Sequence, residues 1–217
     1  MTGPTTTVHL LRHGEVDNPA GVLYGRLPGF VLSAAGHRMA ELSADALAGR
    51  DIVAVVSSPL ERARETATPV AGRLDLDVTI DERLIEAASA LEGEPVGMGR
   101  DVLAHPRYWR HLTNPLRPSW GEPYAEVAAR MLAAATSARD LARADGGDHE
   151  AVCVSHQLPI WTLRRSVEGR HLWHRPDVRQ CGLASLTSLT WQGERVVSVT
   201  YTEPAGALTR TPSTPGA

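Results

Sequence analysis

The run Val8-His9-Leu10-Leu11-Arg12-His13-Gly14-Glu15 decides how this chain is read. Val8 to Leu11 is a short apolar stretch, Arg12 and His13 follow at once, and Gly14 interrupts the extended backbone. A buried strand that stops abruptly at two basic side chains delivers them to the end of a sheet and into a loop. The pattern recurs. Ile52 to Val56 closes on Ser57, Ser58 and Pro59, and Ala151 to Val154 closes on Ser155 and His156.

Helical patterns separate these runs. Ser33 predicts an N-cap, Ala35, Met39, Leu42 and Ala46 then recur at helical spacing, and Gly49 predicts the stop. Leu60 to Leu74 carries Ala63, Ala67, Val70 and Leu74 on one face, with Ser58 as the expected cap and Pro59 at the first helical position. Leu76 to Ile80 is a further short strand. A long helix is expected from near Pro123, with Val127, Met131, Ala134, Ala138 and Leu141 on its apolar face and Gly146-Gly147 at its end. Pro159 to Val167 reads as helix, and Leu183 to Thr190 and Val196 to Tyr201 flank a hairpin signal at Trp191-Gln192-Gly193-Glu194. Strands alternating with helices predict an α/β fold, a three-layer sandwich whose mostly parallel central sheet has helices on both faces. One domain over residues 1–203 is expected, with residues 97–121 inserted like a lid over the sheet edge and residues 204–217 as a disordered tail rich in Pro, Thr, Ala and Gly.

Composition narrows the chemistry. The 217 residues are 42% hydrophobic, enough for a core, and all 22 basic side chains are Arg. Schiff-base chemistry and any phosphate-gripping Lys are therefore excluded. The net charge of −3 provides no general basic field, so neither nucleic acid nor an anionic membrane is an expected partner. Two cysteines without metal or redox spacing, a polar start without a signal-peptide pattern, and no long apolar run give a cytoplasmic expectation.

If the strand ends converge, Arg12, His13, Arg62 and His156 form one pocket, because ligands of open α/β sheets bind at the carboxyl ends of the strands. Guanidinium forks match phosphoryl oxygens bidentately and imidazole adds a donor, so the pocket suits phosphoryl transfer, with His13 as a candidate nucleophile.

Those residues carry a resemblance. Leu10-Leu11-Arg12-His13-Gly14-Glu15 resembles the R-H-G signature of the histidine phosphatase superfamily, which includes cofactor-dependent phosphoglycerate mutases and many small phosphatases. Ser57-Ser58-Pro59-Leu60-Glu61-Arg62-Ala63-Arg64-Glu65-Thr66-Ala67 is similar to its S-P-L-x-R-A-x-x-T-A segment, Leu84-Ile85-Glu86 to its acid segment, and Val154-Ser155-His156 to its V-S-H strand end. The four segments fall in the family's order and span Val8 to Tyr201. The resemblance implies a phosphoglycerate mutase-like fold, phosphorylation of His13, a phosphoryl group held by Arg12, Arg62 and His156, and Glu86 as proton donor and acceptor. It implies no metal and no cofactor.

The chain departs from the family pattern in several places. Val16 takes a Thr place, and Asn18, carried over as a phosphate ligand, falls one residue early. Gln157 stands where Gly is common and narrows the space beside the phosphate, where it is grouped with the phosphate-binding residues. Glu92 competes with Glu86 for the acid role. His171 and His174 stand at a spacing that could face a metal, but no third ligand is near in sequence. Between Val102 and Gly121, Arg107, Arg110 and Arg117 accompany Tyr108, Trp109 and Trp120 without one acidic residue, which reads as a lid for an anionic substrate or as an ordinary solvated loop. The expected activity is metal-independent hydrolysis of a small phosphorylated molecule. A mutase and a catalytically silent phosphate-binding module are the alternatives, and a homodimer is an open expectation.

Overall fold

A computed structural model of the chain describes residues 5–95, 121–144 and 146–208. The expected lid, with its arginines and aromatics, falls outside these residues except for Gly121. Six strands form one mixed sheet: β1 (Thr5–Arg12), β2 (Ile52–Ser57), β3 (Val78–Ile80), β4 (Glu150–Ser155), β5 (Leu186–Gln192) and β6 (Arg195–Thr202), in the order β3-β2-β4-β1-β5-β6. Neighbours from β3 to β1 run parallel, and the β5–β6 hairpin joins antiparallel on the far side of β1.

Strand periodicity explains the layers. Val8 and Leu10 of β1, with Ala151 and Cys153 of β4, point to one face, where they pack on Val127, Met131 and Ala138 of α3 (Tyr124–Ala142) and on Ile160 and Leu163 of α4 (Gln157–Val167). Leu11, Val152 and Val154 point to the other and pack on Ala44 and Leu47 of α1 (Ala34–Leu47) and on Ala63, Ala67 and Val70 of α2 (Glu61–Leu74). Because the central strands are covered on both sides, their sequences run apolar without alternation. The mostly parallel sheet with helices on both faces is the expected α/β fold.

Several local expectations are corrected. Ser33 does cap α1, its side chain accepting from the Gly36 N–H, but the buried face is Gly36, Met39, Ala40, Ser43, Ala44 and Leu47, while Leu42 and Ala46 are exposed. Small residues allow close packing against α2 and the sheet, and that contact selected the face over side-chain size. Helix α2 begins at Glu61 with Leu60 as N-cap, so neither Ser58 nor Pro59 plays its expected part. Leu141 of α3 is exposed, β3 and β5 start later than expected, and α4 begins at Gln157 instead of Pro159. The start of the expected tail is packed: Ala205 is buried with Met39 and Ala184, and residues 204–208 form a turn. Residues 209–217 fall outside the described ones. No described helix is long and apolar enough to cross a membrane.

Candidate active site

Three adjacent parallel strands end on the same edge of the sheet, and their last residues carry the polar clusters. Register pairs Arg12 with Ser155 and Ser57 with Val154. The ladder continues past the strands, since His13 N donates to Ser155 O at 3.1 Å and Ser58 N to Val154 O at 2.9 Å. Arg12, His13, Ser58 and His156 are thereby fixed side by side. Arg62 reaches them from the first turn of α2 and is fully buried.

The loop after His13 runs hard against the start of α1. A Cβ on Gly14 would lie 2.5 Å from Gly36 O, and one on Gly36 would lie 2.0 Å from Glu15 O, so both positions require glycine. The close approach holds Gly14 O 2.8 Å from His13 Nδ1. A carbonyl only accepts, so Nδ1 carries the proton and Nε2 keeps the lone pair. Burial and the charges of Arg62 and Arg12 hold the His13 imidazole well below its ordinary pKa, against a smaller upward pull from Gly14 O. His13 is therefore neutral near pH 7, with its unprotonated nitrogen at Nε2.

His156 lies beside it, with ring centroids 5.2 Å apart. Its Nε2 is 2.8 Å from Ser58 Oγ, and burial followed by Arg62 and His13 drives its pKa well down too. Arg12 Nη1 donates to Cys181 O at 2.7 Å and Arg62 Nη2 to Gly25 O at 2.7 Å, which orient both guanidiniums. Arg12 Nε, Arg62 Nε and Nη1, and His156 Nδ1 are buried and have no hydrogen-bond partner among the described residues. Four unpaired buried donors, three of them on guanidiniums, are costly unless an anion completes them. A phosphoryl group supplies three oxygens for that purpose.

Glu86 is set opposite on a heavily braced loop. Ser155 Oγ donates to Leu84 O at 2.7 Å, Arg130 Nη1 donates to Arg83 O and Ile85 O, and Arg26 Nε donates to Glu86 O at 2.7 Å. Arg26 and Arg130 share Glu122, which offsets part of the charge of the brace. The Glu86 carboxyl accepts from the Ala87 N–H, and its pKa is raised by burial against the opposing pull of that bond and of Arg62, Arg179 and Arg12. A carboxyl that holds its proton toward neutral pH is equipped as an acid.

A cavity of about 350 Å³ adjoins the cluster, with Glu86, Tyr24, Gln157 and Arg179 among its walls. Tyr24 lies under the Arg62 guanidinium, 4.7 Å from ring centroid to Cζ, and stacks on Phe30. Tyr24, Ser58, Arg130 and Arg179 escaped the sequence reading. Only Ser58 lies within a motif, and the others sit in loops or on a helix face with no periodic signal.

The remaining candidates are distributed as follows. Gln157 lines the cavity, its Oε1 accepting from Arg179 Nη1 at 3.4 Å and its Nε2 donating to Cys181 O at 3.3 Å. Asn18 is engaged elsewhere: Nδ2 donates to Val22 O and Oδ1 accepts from Val22 N, closing a turn. Glu92 accepts from Ser89 N at 3.3 Å and packs beneath Gly25. His171 is exposed, whereas His174 is buried with both ring nitrogens committed, to Leu172 O and Arg179 Nε.

The chain is similar to known proteins over nearly its whole length. The family model described as histidine phosphatase superfamily (branch 1) matches residues 8–204. The chain is 58% identical over 200 residues to the uncharacterized protein Rv0525 of Mycobacterium tuberculosis, covering 92% of this chain and 97% of that protein. It is 37% identical over 153 residues to the 2,3-bisphosphoglycerate-dependent phosphoglycerate mutase of Thermoplasma acidophilum, covering 70% of each. Among solved structures, mycobacterial glucosyl-3-phosphoglycerate phosphatase Rv2419c superposes with a TM-score of 0.70 at 28% identity, covering 91% of this chain and 96% of that one.

Proposed function

The chain belongs to the histidine phosphatase superfamily, and on that premise we propose that it hydrolyses a small phosphomonoester through a phosphohistidine on His13. The observation that carries this reading is the ring of unpaired buried donors on Arg12, Arg62 and His156 around an imidazole whose Nε2 is the unprotonated nitrogen.

In the first step the His13 Nε2 lone pair attacks phosphorus and the bond to the leaving oxygen breaks. That oxygen takes the proton of the Glu86 carboxyl and departs as an alcohol. Arg12, Arg62 and His156 Nδ1–H stabilise the charge on the three equatorial oxygens, where fixed donors lower the barrier most. In the second step water attacks phosphorus and gives its proton to the Glu86 carboxylate. The phosphorus–nitrogen bond breaks and its electron pair returns to Nε2. Each step leaves Glu86 in the protonation state the next one needs.

Positive charge in this scheme comes from guanidinium, so chelator treatment is expected to leave turnover unchanged. Buried, unpaired Cys153 and Cys181 support a reducing, cytoplasmic setting. Hydrolysis is favoured over mutation by the likeness to the mycobacterial glucosyl-3-phosphoglycerate phosphatase, at 28% identity and a TM-score of 0.70. The identity to the Thermoplasma acidophilum mutase supports the second reading. The deciding assay supplies 2-phosphoglycerate and 3-phosphoglycerate with a trace of bisphosphoglycerate and, separately, a panel of phosphometabolites. Phosphate release is the expected result. Interconversion of the phosphoglycerates faster than phosphate release would replace hydrolysis with the mutase reading.

A further inference from the structure

Arg179 stands on the loop after α4 and lines the cavity, and the mechanism leaves its charge unused. Its Nε donates to His174 Nε2 at 2.9 Å, and His174 Nδ1 donates in turn to Leu172 O at 2.7 Å. The His174 ring is wedged between Tyr124, at a centroid distance of 5.4 Å, and Trp161, at 6.1 Å. Gln157 Oε1 takes a longer bond from Nη1, at 3.4 Å. The guanidinium is thus aimed by a neutral imidazole held in one tautomer, at the wall of the cavity it lines. Among the described residues Arg179 forms no ion pair, in contrast to Arg175 on the same rim, which pairs with Asp177.

Charge and donor counts indicate what it meets. Among the described residues, Arg12, Arg62 and Arg179, with Arg26 and Arg130 behind Glu86, outnumber the carboxylates of Glu86, Glu122 and Glu61 that act on them. With Glu86 protonated, as the first step requires, five guanidiniums against the charges of Glu122 and Glu61 leave three, and a phosphomonoester dianion takes two. The unpaired donors of Arg12, Arg62 and His156 already suffice for the three phosphoryl oxygens. Arg179 is therefore surplus to the phosphoryl group, and it faces the part of the cavity where the leaving group must sit. Between the two ends the wall is apolar, formed by Leu23, Leu91, Leu158 and the half-exposed Trp173.

We propose that Arg179, positioned by His174, is a specificity-determining residue that binds a second anionic group on the substrate, separated from the phosphoryl group by an apolar body. The inference rests on the phosphoryl reading of the site and deepens it. Burial, Arg179 and Arg165 all lower the pKa of His174 and so favour the neutral ring, against the opposing bond to Leu172 O.

Binding of two inert phosphonates by calorimetry tests it without relying on turnover. Benzylphosphonate offers the phosphoryl mimic and an apolar ring, and 4-(phosphonomethyl)benzoate adds a carboxylate at the far end. The wild-type protein is expected to bind the carboxylated ligand about tenfold or more tightly, the worth of one charge-assisted bidentate contact. Arg179→Met and Arg179→Lys should each erase most of that preference. His174→Phe, which keeps the ring packing but removes the acceptor, should weaken it, and His174→Gln, which keeps an acceptor, should retain more of it. A substrate series should show the loss in KM for carboxylated esters more than in kcat. Equal wild-type affinities, or a preference that survives in folded Arg179→Met, overturns the inference while turnover of an aryl phosphate leaves the phosphatase reading standing. Binding of neither phosphonate together with no turnover of an aryl phosphate would remove both.

Discussion

Ser58 Oγ lies 2.8 Å from His156 Nε2, and Leu60 N points at the same hydroxyl from 3.4 Å. The hydroxyl can accept from Leu60 and donate its own hydrogen to Nε2, and in that arrangement the His156 proton stands on Nδ1, the donor that the phosphoryl reading uses. Ser58 thus acts through His156 by fixing its tautomer. Ser58→Ala is expected to lower kcat/KM by about 10- to 100-fold and to cost about 1–3 kcal/mol of stability, because a buried ring nitrogen loses its partner. Steady-state kinetics and urea unfolding check the two effects separately, and an unchanged kcat/KM would leave His156 without the tautomer control assigned here.

The bond from His13 Nδ1 to Gly14 O predicts where the phosphoryl group attaches. Nε2 alone has the lone pair, so the phosphoenzyme trapped by acid-free quench should be the Nε2 isomer by phosphorus NMR. His13→Ala should lose at least about a thousandfold in kcat, since no second nucleophile stands in line. Because burial and two guanidiniums lower the His13 pKa, its protonation should inhibit only well below pH 6.5. A phosphoryl group found on Nδ1 or on another residue would contradict the geometry.

Away from the site, Glu150 at the start of β4 accepts from His9 Nε2 at 3.0 Å and from both Nε and Nη2 of Arg50. These partners overcome the upward push of burial and take its pKa from the ordinary 4.5 to about 2. A group depressed on folding stabilises above its unfolded pKa, and that contribution is lost as pH falls through 4.5 toward 2. It amounts to on the order of 2 kcal/mol, discounted for the exposed Arg50. The stability difference between wild type and Glu150→Gln in urea should therefore shrink between pH 6 and pH 3. A difference constant over that range would show that the cluster contributes no ionic stabilisation.

The parts of this protein legible in its sequence are those specified by local chemistry. Strand ends announce themselves because an apolar run meets a polar cluster, as at Leu11-Arg12 and Val154-Ser155, and the parallel order then brings His13, Ser58 and His156 together. Arg62 reads as an exposed helix residue by its neighbours Glu61 and Arg64, and only the family pattern turned it inward, where the fold buries it completely. Arg179 and Tyr24 were illegible because a loop residue acquires its role from whatever packs against it, here His174 close by in the chain and Arg62 far along it, and no periodic pattern announces either contact. The Leu42 misreading has a different origin. The buried face of α1 sets Gly36, Ala40, Ser43 and Ala44 beside Met39 and Leu47, and those small residues let the neighbouring elements come close.

Glu86 must be an acid in one half-reaction and a base in the next, and its environment sets the pH at which the two balance. Its pKa is raised, chiefly by burial, so the protonated form persists above the ordinary carboxylate range. Formation of the phosphoenzyme from an alkyl phosphate needs that form, and its rate should fall as pH rises through the Glu86 pKa. Hydrolysis of the phosphoenzyme needs the carboxylate and should rise through the same window. Pre-steady-state mixing of an alkyl phosphate should then show phosphoenzyme accumulating at low pH and disappearing at high pH. In Glu86→Gln the limb should vanish from both steps. An aryl phosphate with an acidic leaving group needs little protonation, so the substitution should slow alkyl esters by about 100-fold or more beyond its effect on the aryl ester in the phosphorylation step. Equal losses on the two substrates in that step would mean that Glu86 holds the substrate without transferring a proton. The larger leaving-group effect would then be sought at Glu92.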